Sequence, residues 1–287
     1  MSASAAPPPD GVLRAVTDDG SFRVIAATTT ETTRGVLAAQ RAEPEIARPF
    51  GNLVTGTLLI REAMAPGLRV QGIVRGAGGK GSLVADSHPS GTSRGLLLRS
   101  AGKAPELGRG ALLQMMRSLP NGSVHQGVIE MPTSGEIAEG LMTYMQESEQ
   151  IVSVIKVVTV VGAEGVVAAG GYIVELLPEA RRGPLMVLTE RLAAFPPLEE
   201  LLAADTTAEG LVAELLYGMP YTETGRSDLA YGCQCSELRL IESLATLPRA
   251  DIEDLVADDK PLEIKCEYCG RDYALAPDRL RALLTTS

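Results

Sequence analysis

Apolar and polar residues alternate through GVLRAVTDDGSFRVIAATTT (residues 11–30), and an Asp-Asp-Gly step interrupts the alternation at its centre. A period of two around such a step predicts two short strands joined by a turn. The spacing changes in residues 29–64 to a helical one, in two pieces that Pro44 and Pro49 are expected to break. GLRVQGIVRGAGG (67–79) and SLVADSHPSGTSRGLLL (82–98) return to strand patterns with glycine turns. ALLQMMRSLPNGSVHQGVIEMP (111–132) predicts a hairpin turning at Asn121-Gly122. Ile137, Leu141 and Met145 then fall on one helical face, with Ser134 as the expected N-cap. IVSVIKVVTVVG (151–162) and VVAAGGYIVELLP (166–178) predict buried strands joined by a turn at Gly162–Gly165. Gly170 and Gly171 within the second are expected to permit close strand packing.

Beyond Pro178 the texture shifts to Leu, Ala and Glu. Residues 183–218 predict two or three short helices, divided at Pro196-Pro197 and at Thr206-Thr207. Helices this short are marginal alone and depend on docking. A third texture begins near Tyr231: helical stretches at 236–248 and 250–259, with Leu240, Leu244 and Leu247 on one stripe, then a hairpin over 261–275 and a final helix opening at Pro277. The chain therefore predicts an α+β class with three parts: an α+β core domain at 11–178, a helical linker at 179–230 and a small module at 231–287.

Composition narrows the picture. Of the 287 residues 45% are hydrophobic but only 3% aromatic, so the core must be built from aliphatic side chains. A net charge of −10 argues against nucleic-acid partners, because phosphate binding needs a surplus of Lys and Arg. The opening residues MSASAAPPPD carry neither the basic nor the apolar region of a secretory signal and are expected to form a short disordered tail. Lys156, Glu164 and paired glycines interrupt the most apolar stretch, so no membrane span is expected. A cytoplasmic location follows as the expectation, and there paired cysteines serve as metal ligands or redox thiols more often than as permanent disulfides.

The chain has four cysteines, placed as Cys233-x-Cys235 and Cys266-x-x-Cys269. Two tight pairs are a common way to supply the four sulfurs of a tetrahedral Zn²⁺ site, and Gly270 suits the backbone of a zinc knuckle. One reading is a plain structural ribbon, because a module this small buries little core and needs a staple. The one-residue gap in the first pair is unusual, however, and opens a second reading. Structural zinc supplies on the order of 10–16 kcal/mol of apparent binding energy to a small domain. A disulfide ring of three or four residues would return less than about 2 kcal/mol. Oxidation would thus unfold the module, and the spacing can serve as a switch. Four thiolates leave no open coordination position, which argues against a catalytic zinc and against an enzyme.

The chain resembles a known family here, the 33-kDa redox-regulated heat-shock chaperones. The resemblance is carried by CQC, thirty residues, and CEYCGRDYAL, and upstream by GLRVQGIVRGAGGKGSLVAD, HQGVIEM, YMQESEQI, AGGYIVELLPEA and LLYGMPYTE. It implies an ATP-independent holdase that is inactive when reduced, with one Zn²⁺ held by Cys233, Cys235, Cys266 and Cys269. It implies that oxidation expels the zinc and joins Cys233 to Cys235 and Cys266 to Cys269. The linker then loosens, and the protein dimerises and holds unfolding client proteins. Leu201, Leu202, Leu211, Leu215 and Leu216 are candidate client-binding residues, since undocking of the linker would expose their stripes. The alternative is a passive zinc-ribbon interaction module on an α+β scaffold.

Other candidates fall away. RGAGGKGS (75–82) lacks the spacing of a phosphate loop and is expected to be a strand turn. His88 and His125 have no partner at ligand spacing and are expected to be ordinary surface or turn residues.

Overall fold

The computed structural model describes residues 8–64 and 66–285; residues 1–7, most of the expected tail, lie outside the described residues. The chain divides into two compact units, one up to Gly232 and one from Cys233 onward.

The first unit begins with strands β1 (Gly11–Thr17) and β2 (Phe22–Thr28), then helices α1 (Thr30–Gln40) and α2 (Pro44–Met64). Strands β3 (Val70–Arg75), β4 (Ser82–Ser87), β5 (Thr92–Leu98), β6 (Leu112–Ser118) and β7 (Val124–Glu130) lead to helix α3 (Ile137–Glu147). Strands β8 (Ser153–Gly162) and β9 (Gly165–Leu176) follow, then helices α4 (Arg182–Ala193), α5 (Leu198–Ala203) and α6 (Ala208–Leu215). Two last strands, β10 (Tyr221–Asp228) and β11 (Ala230–Tyr231), close the unit.

The strands form two sheets, one in the order β10-β1-β2-β9-β8 and one in the order β11-β5-β4-β3-β6-β7. Neighbours in both run antiparallel except β11, which lies parallel to β5. An inner core fills the space between the sheets. It gathers Ile25, Ile155 and Ile173 from the first sheet, Val74, Leu83 and Leu113 from the second, and Phe50, Leu53 and Leu58 of α2. A second core covers the outer face of the first sheet. There Leu13, Val24 and Tyr172 meet Leu188, Leu198, Leu202, Leu211 and Leu215 of α4, α5 and α6. Strand alternation produces this arrangement: in β2, Ile25 and Ala27 point inward while Phe22, Val24 and Ala26 point outward.

The predicted class and most elements match the structure, including the hairpin at Asn121-Gly122, where Gly122 takes φ 82°. Two expectations need correction. Pro49 does not break the second helical piece: α2 runs through it, because continuous burial from Phe50 to Ala63 outweighs one missing N–H. Nor does Ser134 cap α3. Glu136 holds the N-cap position, while Ser134 accepts from the Glu136 N–H at 3.2 Å and donates to Glu139 at 2.6 Å. Strand β10 carries no apolar periodicity that would predict it. Its eight residues, YTETGRSD, do not alternate.

In α2 the side chains of Arg61 and Glu62 are both buried, and Glu62 pairs with Arg61 and with Arg14 of β1. Burial costs of this size are met only when every charge has a partner. Among the described residues no helix is long and apolar enough to cross a membrane.

Candidate metal centre

The second unit is built from helices α7 (Glu237–Leu244) and α8 (Arg249–Val256), the hairpin of β12 (Leu262–Lys265) and β13 (Asp272–Leu275), and helix α9 (Pro277–Thr285). Of its described residues, only Ile252, Leu275 and Leu280 are fully buried hydrophobics. The expected leucine stripe contributes little: α7 buries no residue, and Leu247 is 38% exposed. So few buried side chains cannot offset the chain entropy of a unit this long.

What the unit does gather is sulfur. Cys233 and Cys235 lie in the segment before α7, whose N-cap Ser236 accepts from the Arg239 N–H. Cys266 and Cys269 sit in the turn between β12 and β13. The Cys266 N–H donates to the Arg271 carbonyl at 2.8 Å, and the Gly270 N–H donates to the Cys266 carbonyl at 2.7 Å. Gly270 takes φ 72°, the left-handed conformation expected of the knuckle glycine.

None of the four cysteines is in a disulfide, and their sulfurs lie within 4.8 Å of one another. The Cys233 and Cys266 sulfurs are 3.7 Å apart, and those of Cys235 and Cys269 are 3.4 Å apart. A disulfide requires about 2.05 Å. Zinc–sulfur bonds of about 2.3 Å place the corners of a tetrahedron about 3.8 Å apart. Four soft donors at these separations fit a metal cage.

The second layer holds residues that the sequence reading missed. The Tyr273 hydroxyl, on β13, donates to the Cys235 sulfur at 3.1 Å. Burial raises the Cys235 thiol, but the bond from Tyr273 and those from its neighbouring thiols outweigh it and bring the group down to about 7. Cys269 is pushed up to about 12, by burial first and then by the surrounding thiols, and burial also raises Cys266. Without a cation, negative charge concentrates on one sulfur at the expense of the others. Tyr273 and the negative sulfurs in turn keep the Arg271 guanidinium charged. The hairpin predicted over 261–275 could have flagged Tyr273, whose strand leads directly away from the knuckle.

The other sequence candidates lie elsewhere. Leu202, Leu211, Leu215 and Leu216 are buried in the outer core, and Leu201 is partly buried against it. Gly170 admits Leu202 closely: a Cβ there would meet the Ala27 carbonyl at 2.6 Å and Leu202 at 2.8 Å. Residues 75–82 form the turn between β3 and β4, as expected. His88 forms a local turn with Ser90, and His125 lies 3.8 Å from Glu149.

Comparison with known proteins adds a relationship. The sequence profile of the Hsp33 protein family matches residues 10–276. The chain is 30% identical over 286 residues to the 33 kDa chaperonin of Syntrophotalea carbinolica, covering 96% of this chain and 99% of the relative. It is 32% identical over 295 residues to the 33 kDa chaperonin of one Thermus thermophilus strain, covering 95% and 86%. The crystal structure of the 33 kDa chaperonin from Thermotoga maritima superposes with a TM-score of 0.78, at 20% identity, over 97% of this chain and 99% of that one.

Proposed function

Because the chain belongs to the Hsp33 family of chaperones, we propose that it is a redox-regulated, ATP-independent holdase of the cytoplasm, a binding protein rather than an enzyme. Its working parts are a core domain at 11–178, a linker at 179–230 and a switch at 231–287. In the reduced state Cys233, Cys235, Cys266 and Cys269 hold one Zn²⁺. When bound, the zinc keeps the sulfurs as thiolates, the form that attacks oxidants, and contributes folding energy on the order of 10–16 kcal/mol.

Oxidation joins Cys233 to Cys235 and Cys266 to Cys269. Each disulfide forms as two thiolates give two electrons to a peroxide, whose O–O bond breaks and which takes two protons from solvent and leaves as two waters. Paired in this way, the sulfurs have no thiolate to offer a metal, and the three buried hydrophobics of the unit cannot hold it folded. The linker then loosens, its leucines Leu201, Leu202, Leu211, Leu215 and Leu216 become available to unfolded clients, and the protein dimerises.

One observation carries this reading: four cysteine sulfurs, none in a disulfide, lie within 4.8 Å of one another in a unit whose described residues form almost no other core. The test is to oxidise zinc-loaded protein with peroxide under mild heat, then count thiols, measure released zinc and follow aggregation of a heat-unfolding enzyme. Loss of four thiols and one zinc, with aggregation suppressed only afterwards, is the expected result. Zinc release with no suppression would leave a passive ribbon module.

A further inference from the structure

Between α2 and the start of α3 lies a cavity of about 290 Å³. Arg48 and Asn52 of α2 form one wall, Leu107 and Gly108 a second, and Gly135 and Glu136 a third. Arg48 and Asn52 stand four positions apart and so share one face of their helix. Gly135, at φ 73°, brings the loop before α3 against the second wall: a Cβ on it would stand 3.4 Å from the Gly108 nitrogen and from the Leu107 carbonyl.

Three features of this cavity ask for a ligand. Asn52 is only 4% exposed, and its Oδ1 is buried with no hydrogen-bond partner. An unpaired buried amide costs free energy that a partner in the cavity would recover. Arg48 is exposed and makes no ion pair among the described residues. Helix α3, eleven residues long, opens on the cavity without a side-chain cap. Ser134 is already committed, accepting from the Glu136 N–H and donating to Glu139. The first N–H groups of α3 and the positive end of its dipole are therefore left to the cavity. A guanidinium and a helix N-terminus call for negative charge, against which Glu136 is the one acid among the lining residues. Asn52 adds a second requirement. Its amide can donate and accept, and the buried oxygen is matched only by a ligand that also donates. Sulfate and carboxylates accept alone, whereas hydrogen phosphate keeps a hydroxyl even as a dianion.

We propose that this cavity is a binding site for a small oxyanion that retains a hydroxyl, with hydrogen phosphate as its simplest member. Arg48 and the first turn of α3 balance the charge, and the hydroxyl donates to Asn52. The inference does not depend on the holdase reading, since every wall of the cavity lies in the first unit and the metal centre lies in the second. Such a ligand ties α2 to α3 and stabilises the first unit by mass action.

The test titrates reduced full-length protein, purified without phosphate, against inorganic phosphate, sulfate and methyl phosphate by calorimetry at pH 8. A phosphomonoester gives up its second proton near about pH 6, so methyl phosphate is then a dianion without a hydroxyl. Inorganic phosphate should bind saturably and at least about tenfold more tightly than either of the others. Arg48→Gln should weaken phosphate binding at least about tenfold. Because Arg48 is exposed, thermal unfolding of that variant without phosphate should match the parent's. Asn52→Ala should weaken phosphate and leave sulfate unchanged, so that the preference disappears. The absence of saturable phosphate binding overturns the proposal. So does equal affinity for phosphate and either comparison ion, or an unchanged affinity in Arg48→Gln. Should Asn52→Ala fail to fold, the three ions on the parent protein and on Arg48→Gln still decide.

Discussion

Tyr172 sits on the outer face of the first sheet, its ring edge-on to Phe195 of the linker at 5.5 Å, and burial pushes its phenol up to about 12. The folded state thus holds this proton more tightly than the unfolded chain, whose ordinary value is 10.0. Stability from this group is complete below pH 10 and is lost as pH rises toward 12. Tyr172→Phe should therefore leave stability at pH 7 nearly unchanged and flatten its decline above about pH 10, as read by urea unfolding across that range. At the metal centre, Tyr273→Phe removes the donor to Cys235 and should raise that thiol in the metal-free reduced protein, visible as slower alkylation of Cys235 at pH 7. The four cysteines were legible from spacing alone, since two tight pairs have few other uses in a chain with no further sulfur pairs. Tyr273 and Arg271 were not, because their role comes from hairpin register, which a sequence fixes only through the face each residue takes.

The linker helices show how little an element need hold by itself. Helices α5 and α6 span six and eight residues, too short to persist in water, and their order comes from leucines set against the sheet. Arg191 adds a second tie, donating to the Glu214 carbonyl at 2.7 Å, pairing with its carboxylate and stacking over Tyr217 at 5.2 Å. Leu215→Ala should cost about 2–5 kcal/mol in linker docking. Hydrogen exchange should rise in α4 to α6 before it rises in α2, and the oxidation dose needed for client binding should fall. Sequence periodicity found these helices because two proline and threonine breaks mark their ends. It missed the continuity of α2 through Pro49, where burial outweighs a local rule, and it missed β10, whose pairing leaves no apolar alternation to detect.

At the scale of the whole molecule the two units differ in what keeps them folded. The first has two cores, and its helix α2 is buried continuously from Phe50 to Ala63. The second has, among its described residues, three buried hydrophobics and four sulfurs. A chelator applied to reduced protein should therefore disorder residues 233–287 while the strands of both sheets keep their exchange protection, and limited proteolysis should cut first beyond Gly232. Such asymmetry has a consequence that does not involve oxidants. Order that depends on a bound ion obeys mass action, and each tenfold fall in free zinc removes ~1.4 kcal/mol from it. If zinc is the clasp and peroxide breaks it, as proposed, a cell starved of that metal would loosen it too, so scarcity of a nutrient and chemical assault would reach this protein through one gate.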